Sequence, residues 1–169
     1  MYTLKGAIFS LRDTLVVEGS IDPQLMDETI KLLRFLTARN VSPVIVSNSS
    51  WIETGSKRQI PDILSEAIGH TIPYYRGGHD MPMKQFAGAM DHVLQTQNWQ
   101  PEEAIYIGST KEDMIAARNG KLMFLNARWH AQNSAYGFEF ESPKDIARFI
   151  DCCCLSIGDW FWAIEKDDL

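Results

Sequence analysis

Short apolar segments alternate with longer amphipathic segments along this chain of 169 residues. The alternation predicts strands at 4–10, 41–47, 71–75, 104–108 and 122–126. It predicts helices at 23–40, 61–68, 82–97, 111–119 and 143–155. Strands and helices that alternate with short connections are typical of a mostly parallel sheet with helices on both faces. We therefore predict a doubly wound, Rossmann-like α/β domain that binds its ligands beyond the carboxyl ends of the strands.

The composition is that of one globular domain, and we expect a single domain over 1–169. Hydrophobic residues make up 45% of the chain, which is enough for a core. The formal net charge of −6 and the pI near 5.2 argue against non-specific binding to nucleic acid. No apolar run reaches the roughly 18–20 residues of a membrane span, and we expect neither a signal peptide nor membrane association.

The last part of the sequence combines cysteines with an aromatic segment. The only cysteines are consecutive, at 152–154, so they form neither a disulfide framework nor a zinc site. This pattern indicates small apolar side chains that fill space in a reduced, cytoplasmic protein. In the tail, 156–169, Trp160, Phe161 and Trp162 either pack on the domain or bind a protein partner, since tryptophan is enriched at interface anchors.

Four short motifs lie at the ends of predicted strands or near the start of a predicted helix. They are Ser10-Leu11-Arg12-Asp13-Thr14 after the first strand, Ser47-Asn48 after the second, Lys84 near the third helix, and Gly108-Ser109 followed by Asp113 after the fourth strand. In this order and spacing they resemble the four motifs of the haloacid dehalogenase superfamily of phosphohydrolases. Each motif alone is weak evidence, whereas all four in order are much more specific. The resemblance covers residues 4–150 and implies the α/β fold predicted above.

The spacing of the motifs bears on the branch of the family. About 30 residues separate the first motif from the second, and about as many separate the second from the third. Neither interval has room for a large cap domain, so the chain resembles the capless, phosphatase-type branch. The segment 46–50 is similar to a loop of small phosphatases in that branch.

The two catalytic positions of the family carry other residues in this chain. The resemblance places Ser10 where the family has the aspartate that attacks phosphorus. It places Arg12 where the family has the aspartate that transfers protons. A serine hydroxyl needs a neighbouring base, and a guanidinium does not exchange protons at neutral pH. The motifs are therefore degenerate, and we predict a catalytically silent domain.

The magnesium site of the family is also depleted. By the resemblance, Ser10 and Ser109 replace two of its three side-chain ligands, and only Asp113 remains as a vestige of the metal site. Magnesium requires hard oxygen ligands and is held chiefly by carboxylates. We therefore expect no cofactor, and Mg²⁺ only if some activity remains.

The residues that hold the phosphate in the family are better matched. The resemblance assigns ligand binding to Ser47, Asn48 and Lys84, and Arg12 adds a second cation. Arg12 and Lys84 against Asp113 give a charge of +1, which favours a small anionic or phosphorylated ligand. Three alternatives stay open. In the first, Lys84 only forms an ion pair with Asp113. In the second, Arg12 points into solvent, and in the third, Ser47 and Asn48 only cap the turn after their strand.

Two turns are expected beside this site. Asp13 matches a glycine of the family motif, so we expect a left-handed backbone there, which aspartate tolerates better than most residues. The loop 76–80 contains Gly77 and Gly78 and is expected at the same rim. It is either a plain turn or a place where the backbone approaches a ligand closely.

Three functions are compatible with these residues. The first is a silent module that binds a phosphorylated ligand or a protein partner. The second is a phosphatase with weak or altered hydrolase activity, so whether the chain is an enzyme stays open. The third is a receiver-like signalling domain, but a receiver needs acidic residues after its first strand, where this chain has Ser10 and Arg12. The site residues favour the first function, because a fold alone confers no activity.

Overall fold

The computed structural model describes residues 3–15, 23–48, 59–129 and 137–154. Its strands are β1 (Gly6–Ser10), β2 (Ser42–Ser47), β3 (Tyr74–Arg76), β4 (Ala104–Gly108), β5 (Met123–Ala127) and β6 (Phe138–Phe140). Its α-helices are α1 (Pro23–Ala38), α2 (Ile60–Ile68), α3 (Ala89–Gln97), α4 (Lys111–Asn119) and α5 (Pro143–Phe149). The tail residues Trp160, Phe161 and Trp162, for which we predict packing or partner binding, lie outside the described residues.

The six strands form one parallel sheet in the order β3-β2-β1-β4-β5-β6. The chain builds the sheet outwards from β1 to β3 and then returns to the other side of β1 with β4. This topology confirms the predicted doubly wound α/β class. The order of the strands reverses between β1 and β4, and a ligand crevice is expected beyond the carboxyl ends of these two strands.

The core lies on both faces of the sheet. All five residues of β1 are buried. Phe9 packs with Leu33 of α1 in the core of one face, whereas Ile8 packs with Met90 of α3 in the core of the other. A central parallel strand is covered on both sides, which is why its sequence is apolar without alternation. The buried sheet is therefore a rigid platform for the loops at its carboxyl end.

The bounds of most elements shift by one to three residues from the sequence prediction, and three elements differ more. The edge strand β6 was not predicted, because three residues are too few to show a period of two. Helix α3 begins at Ala89 instead of 82, and residues 82–88 form turns that bring Lys84 to the site. Helix α5 ends at Phe149, and the chain continues as a π-helical turn, Ile150–Cys154. Cys152 is exposed on this turn, so the prediction that it fills space is wrong for this residue.

Neither the connection between β1 and α1 nor the connection between β2 and α2 is long enough to hold a large cap domain. Seven residues, 16–22, lie between the described parts before α1, and ten residues, 49–58, lie between those before α2. The prediction of a fold without a large cap is confirmed. None of the helices that the structure describes has the length and apolar character of a membrane span.

Candidate functional site

Buried polar side chains mark one end of the sheet. Eight polar or charged residues of the described part are buried, and seven of them lie at or beyond the carboxyl ends of the strands. These seven are Ser10, Thr14, Ser47, Lys84, Ser109, Asp113 and Asn126. Burying a polar group costs free energy unless the group is hydrogen-bonded. The concentration of buried polar groups at one end of the sheet therefore indicates a candidate functional site.

An ion pair lies at the centre of this cluster. The Nζ atom of Lys84 is 2.6 Å from Oδ1 of Asp113, and it donates a hydrogen bond to Oγ of Ser10 at 3.0 Å. Asp113 is completely buried, and Lys84 is only 6% exposed. Of the alternatives for Lys84, the structure thus shows the pair with Asp113. A buried ion pair is tolerated only when further hydrogen bonds satisfy both charges.

Asp113 receives these hydrogen bonds at both carboxylate oxygens. The hydroxyl of Tyr106 donates to Oδ1 at 2.9 Å. The backbone N–H groups of Ser109 and Thr110 donate to Oδ2 at 3.0 Å, and Oγ1 of Thr110 donates to the same atom at 2.9 Å. Thr110 and Asp113 also form the capping box that fixes the start of α4. Gly108 allows this close packing, because a Cβ atom there would lie 2.6 Å from Cβ of Asp113.

The surroundings fix the charge states of the buried groups. Burial by itself would raise the pKa of Asp113, because it disfavours the charged carboxylate. The charge and hydrogen bond of Lys84, with the two backbone N–H groups, outweigh burial and lower this pKa below its ordinary value. Burial and the neighbouring Asp113 carboxylate raise the pKa of Tyr106 well above its ordinary value. Asp113 therefore stays ionised and Tyr106 stays a hydrogen-bond donor around neutral pH.

A cavity of about 340 Å³ opens beside the ion pair. Its walls contain the four residues predicted to bind a ligand, Arg12, Ser47, Asn48 and Lys84. Its walls also contain three residues that were not predicted there, Asp13, Thr110 and Glu112. Ser47 and Lys84 are buried, whereas Arg12 and Glu112 lie at the exposed mouth. The structure thus brings the predicted ligand residues together around one space.

No family model and no curated protein sequence matches this chain. Solved structures do match it. A haloacid dehalogenase superfamily hydrolase from Ehrlichia chaffeensis has a TM-score of 0.64 at 18% identity, over 89% of this chain and 97% of that chain. The D,D-heptose 1,7-bisphosphate phosphatase from B. bronchiseptica, complexed with magnesium and phosphate, has a TM-score of 0.65 at 11% identity, over 87% of this chain and 98% of that chain.

A third match is the cobalt-bound form of the deoxy-D-mannose-octulosonate 8-phosphate phosphatase from Haemophilus influenzae. It has a TM-score of 0.63 at 12% identity, over 98% of this chain and 94% of that chain. The chain has the haloacid dehalogenase fold. The resemblance predicted from the four motifs is confirmed at the level of fold. At these identities the likeness carries no activity over to this chain.

Two of the haloacid dehalogenase-fold neighbours are described with a bound metal, so we tested whether this site fits one. Both oxygens of Asp113 already accept hydrogen bonds, and the ammonium of Lys84 lies 2.6 Å from Oδ1. At the two other matched positions, Ser10 accepts from Lys84, and Ser109 accepts from Thr14 at 3.3 Å. No three histidine, cysteine, aspartate or glutamate side chains gather as a metal site among the described residues. The residues present therefore do not fit Mg²⁺.

Asn48 connects the end of β2 to the turn that carries Lys84. Its Oδ1 atom accepts a hydrogen bond from the backbone N–H of Lys84 at 2.8 Å, and its Nδ2 atom donates to Oε1 of Gln85 at 2.6 Å. The backbone at Gly77 makes room for this amide, because a Cβ atom there would lie 2.2 Å from Oδ1. Asn48 is thus a positioning residue for Lys84 as well as part of the cavity wall.

Arg12 and Asp13 form the mouth of the cavity next to β1. Nε of Arg12 is 3.7 Å from Oδ2 of Asp13, and the Arg12 side chain is 47% exposed. Asp13 has a φ of +56°, in agreement with the predicted left-handed turn. The predicted charge of +1 was incomplete, since it omitted Asp13 and Glu112, which line the same space. With both included, the two cations face three carboxylates and the site has a charge of −1.

The loop 76–80 does not contribute to the described lining of the cavity. Its own hydrogen bonds close it, since the carboxylate of Asp80 accepts from the backbone N–H of Arg76 at 2.8 Å. His79 is 2.9 Å from the other oxygen of Asp80. This contact lowers the pKa of Asp80 below its ordinary value, and the hydrogen bond from Arg76 adds to the effect. The loop supports the site only indirectly, through the contact between Gly77 and Asn48.

Proposed function

We propose that this phosphohydrolase-type domain is catalytically silent and binds a phosphorylated ligand in its cavity without a metal ion. The proposal of catalytic silence rests on the hydrogen bond from Nζ of Lys84 to Oγ of Ser10. Ser10, at the position of the nucleophile, thus accepts a hydrogen bond from a cation. A nucleophilic hydroxyl needs instead a neighbouring base that accepts its proton.

The neighbouring residues do not supply that base. The carboxylate of Asp113 has a lowered pKa and accepts hydrogen bonds at both oxygens, which makes it a poor proton acceptor. Arg12, at the position of the family's proton-transfer residue, keeps its proton at neutral pH. Ser10, Arg12 and Asp113 therefore support no step of phosphoryl transfer.

The second half of the proposal rests on the donors around the cavity. Arg12 presents a planar guanidinium that suits the oxygens of a phosphate, and Ser47 contributes a buried hydroxyl. Lys84 lies in the same wall, although Asp113 neutralises its charge. We expect binding in the range of about millimolar to tens of micromolar, since few uncompensated charges face the ligand.

Two further parts of the function are proposed on the sequence alone. We propose that the protein is cytoplasmic, on the basis of its consecutive cysteines at 152–154. We also propose that Trp160 and Trp162 are the first places to look for a protein partner.

Catalytic silence is tested with a generic phosphomonoester in the presence of Mg²⁺. The expected result is equal release of phosphate from the wild type and the Ser10→Ala variant, at the level of buffer alone. Turnover by the wild type that disappears with EDTA would contradict the proposal and favour a phosphatase of altered mechanism.

Phosphate binding is tested by thermal unfolding with inorganic phosphate at fixed ionic strength. At a hundredfold excess over the dissociation constant, we expect about 2.7 kcal/mol of stabilisation. This stabilisation should be lost in Arg12→Ala and kept in Arg148→Ala. Arg148 is a matched control, because it is also about half exposed and lies 3.7 Å from an aspartate, Asp145. Equal responses of the two variants would place the binding elsewhere.

A further inference from the structure

The β6 edge of the sheet carries exposed apolar side chains at the amino ends of the strands. β6 is the last strand of the sheet, so its outer edge pairs with no strand among the described residues. Phe138, its first residue, is 57% exposed, and Met123, the first residue of the neighbouring β5, is 45% exposed. Both lie on the face that α5 covers, because Phe138 is in register with Leu125 of that core and Met123 is two residues before Leu125. Proteins usually cover an apolar edge strand, so this edge indicates a contact surface.

Aromatic rings continue this surface onto α5. The ring centroid of Phe149, the last residue of α5, lies 5.5 Å from that of Phe138 and 5.2 Å from that of Phe140. These distances are typical of favourable aromatic pairs. Phe140 and Phe149 are half-buried, whereas most of Phe138 faces outwards. We call Met123, Phe138 and Phe149 the edge patch, and it offers further aromatic side chains a surface to pack on.

The chain leaves the described part of the protein beside the edge patch. Helix α5 starts after the carboxyl end of β6 and runs back towards the amino ends of the strands. The π-helical turn Ile150–Cys154 follows Phe149 directly. Asp151 in this turn forms an ion pair of 3.0 Å with Arg39, which follows α1 and precedes β2 and so also lies at the amino ends. Cys154, five residues after Phe149, therefore begins the remaining chain close to the edge patch.

The sequence after Cys154 has a composition that suits the edge patch. Seven of the ten residues in 155–164 are apolar, and they include Trp160, Phe161 and Trp162. We call 155–164 the aromatic segment. Trp160 is six residues from Cys154, and six extended residues span about 20 Å, or about four strand spacings. Because the segment is covalently attached, its effective concentration at the patch exceeds that of any second molecule. The segment 130–136, which precedes β6, is mainly polar and suits the patch less well.

We infer that the aromatic segment docks on the edge patch of its own chain and covers the exposed edge of β6. This contact is separate from the phosphate cavity, which lies at the opposite, carboxyl end of the sheet. It also bears on the protein partner proposed for Trp160 and Trp162. Such a partner has to compete with the edge patch for these two side chains.

The test is limited proteolysis of the intact protein with chymotrypsin, which cleaves after aromatic residues. Mass spectrometry follows the rate of cleavage at 160–162, and we expect this cleavage to be slow in the wild type. In Phe138→Lys the rate should rise about tenfold, because cleavage follows the population of the undocked segment. Met123→Lys should have the same effect without a change in β6 itself. Phe86→Lys is the matched control, since Phe86 is 56% exposed but lies in the turn that carries Lys84, and it should leave the rate unchanged.

Several results would overturn the inference. Rapid cleavage at 160–162 in the wild type, or an unchanged rate in both patch variants, would show that the aromatic segment does not dock there. An equal acceleration by Phe86→Lys would show that the effect is not specific to the edge patch. Protection that weakens when the wild type is diluted would assign the contact to a second copy of the chain instead of the same one.

Discussion

The two ends of the sheet carry cavities of different character. At the amino ends of the strands, a groove of about 630 Å³ lies between the ends of α1 and α2 and is lined by exposed residues such as Arg34, Asn40 and His70. At the carboxyl ends, the cavity beside Lys84 has about 340 Å³, and it lies at the same end of the sheet as the seven buried polar residues, two of which, Ser47 and Lys84, line it. The larger groove is thus lined mainly by exposed residues, whereas the smaller cavity lies beside buried polar groups. Burial of polar groups, and not volume, therefore distinguishes the end of the sheet that carries the candidate site.

Because the buried polar groups lie at the carboxyl end of the sheet, substitutions there should cost more stability than substitutions at the amino end or on the surface. The largest effect is expected for the buried ion pair. Lys84→Ala leaves the carboxylate of Asp113 buried without its cation, and we expect a loss of about 3–5 kcal/mol in the free energy of unfolding. Urea denaturation measures this loss. Lys31→Ala is the matched control, since Lys31 also lies 2.6 Å from an aspartate but on the surface, and it should leave the midpoint unchanged. Similar losses in both variants would contradict the comparison.

A second prediction concerns two glycines, one at each end. Gly77→Ala places a Cβ atom 2.2 Å from Oδ1 of Asn48 and should cost about 1–3 kcal/mol of stability. Gly69→Ala, at the end of α2, meets no atom within 4 Å but has a φ of +69°, so we expect a cost of about 1 kcal/mol. Thermal and urea unfolding distinguish the two. In the background of Asn48→Ala, the Gly77 change should cost much less than it does in the wild type, whereas the Gly69 change should cost the same in both backgrounds. An undiminished cost at Gly77 would show that steric conflict with Asn48 is not the cause.

The third prediction is the pH dependence of stability that Asp113 contributes. Its pKa is lowered in the folded state, so its contribution is present above the unfolded pKa of about 3.9 and is lost as the pH falls through the folded value. The free energy of unfolding should therefore decrease with acid below about pH 4, by at most about 1.4 kcal/mol per pH unit for this one proton. The Asp113→Asn variant, studied by urea unfolding across the same range, should lack this part of the slope. An unchanged slope would contradict the assignment.

The smallest effect expected is that of magnesium. Millimolar MgCl₂ should shift the melting temperature of the wild type no more than a salt of equal ionic strength does, because the donors around Asp113 already occupy both of its oxygens. A thermal-shift series measures this. A saturable rise in melting temperature that is specific for Mg²⁺ and absent in Asp113→Asn would contradict the reading of the site.

Much of the fold could be predicted from local sequence. The bounds of β4 and α4 agree with the prediction, because an unbroken apolar strand, Gly108 and the capping box of Thr110 and Asp113 all act within a few residues. The start of α3 could not be predicted in the same way. Residues 82–88 leave the helical path because Asn48, distant in sequence, holds the backbone of Lys84. Long-range contacts of this kind leave no local pattern.

The same limit applies to the site. The motifs located Ser10, Arg12, Ser47, Lys84 and Asp113, because each follows a strand or begins a helix. Their pairing was undecided, since sequence spacing does not report which cation reaches which carboxylate. Two charged residues of the cavity wall were missed. Asp13 was interpreted only as a turn, and Glu112 resembles any acidic residue in the first turn of a helix.

The hydrogen bond between Lys84 and Ser10 spans 74 positions of the chain. It joins the first strand to a turn that follows the third, so it can form only after both have been brought together on the sheet. Because a long loop must close first, we expect this contact to form late in folding, after the transition state, and therefore to be broken before the transition state of unfolding is reached. We therefore expect the polar cluster to lower the rate of unfolding more than it raises the rate of folding.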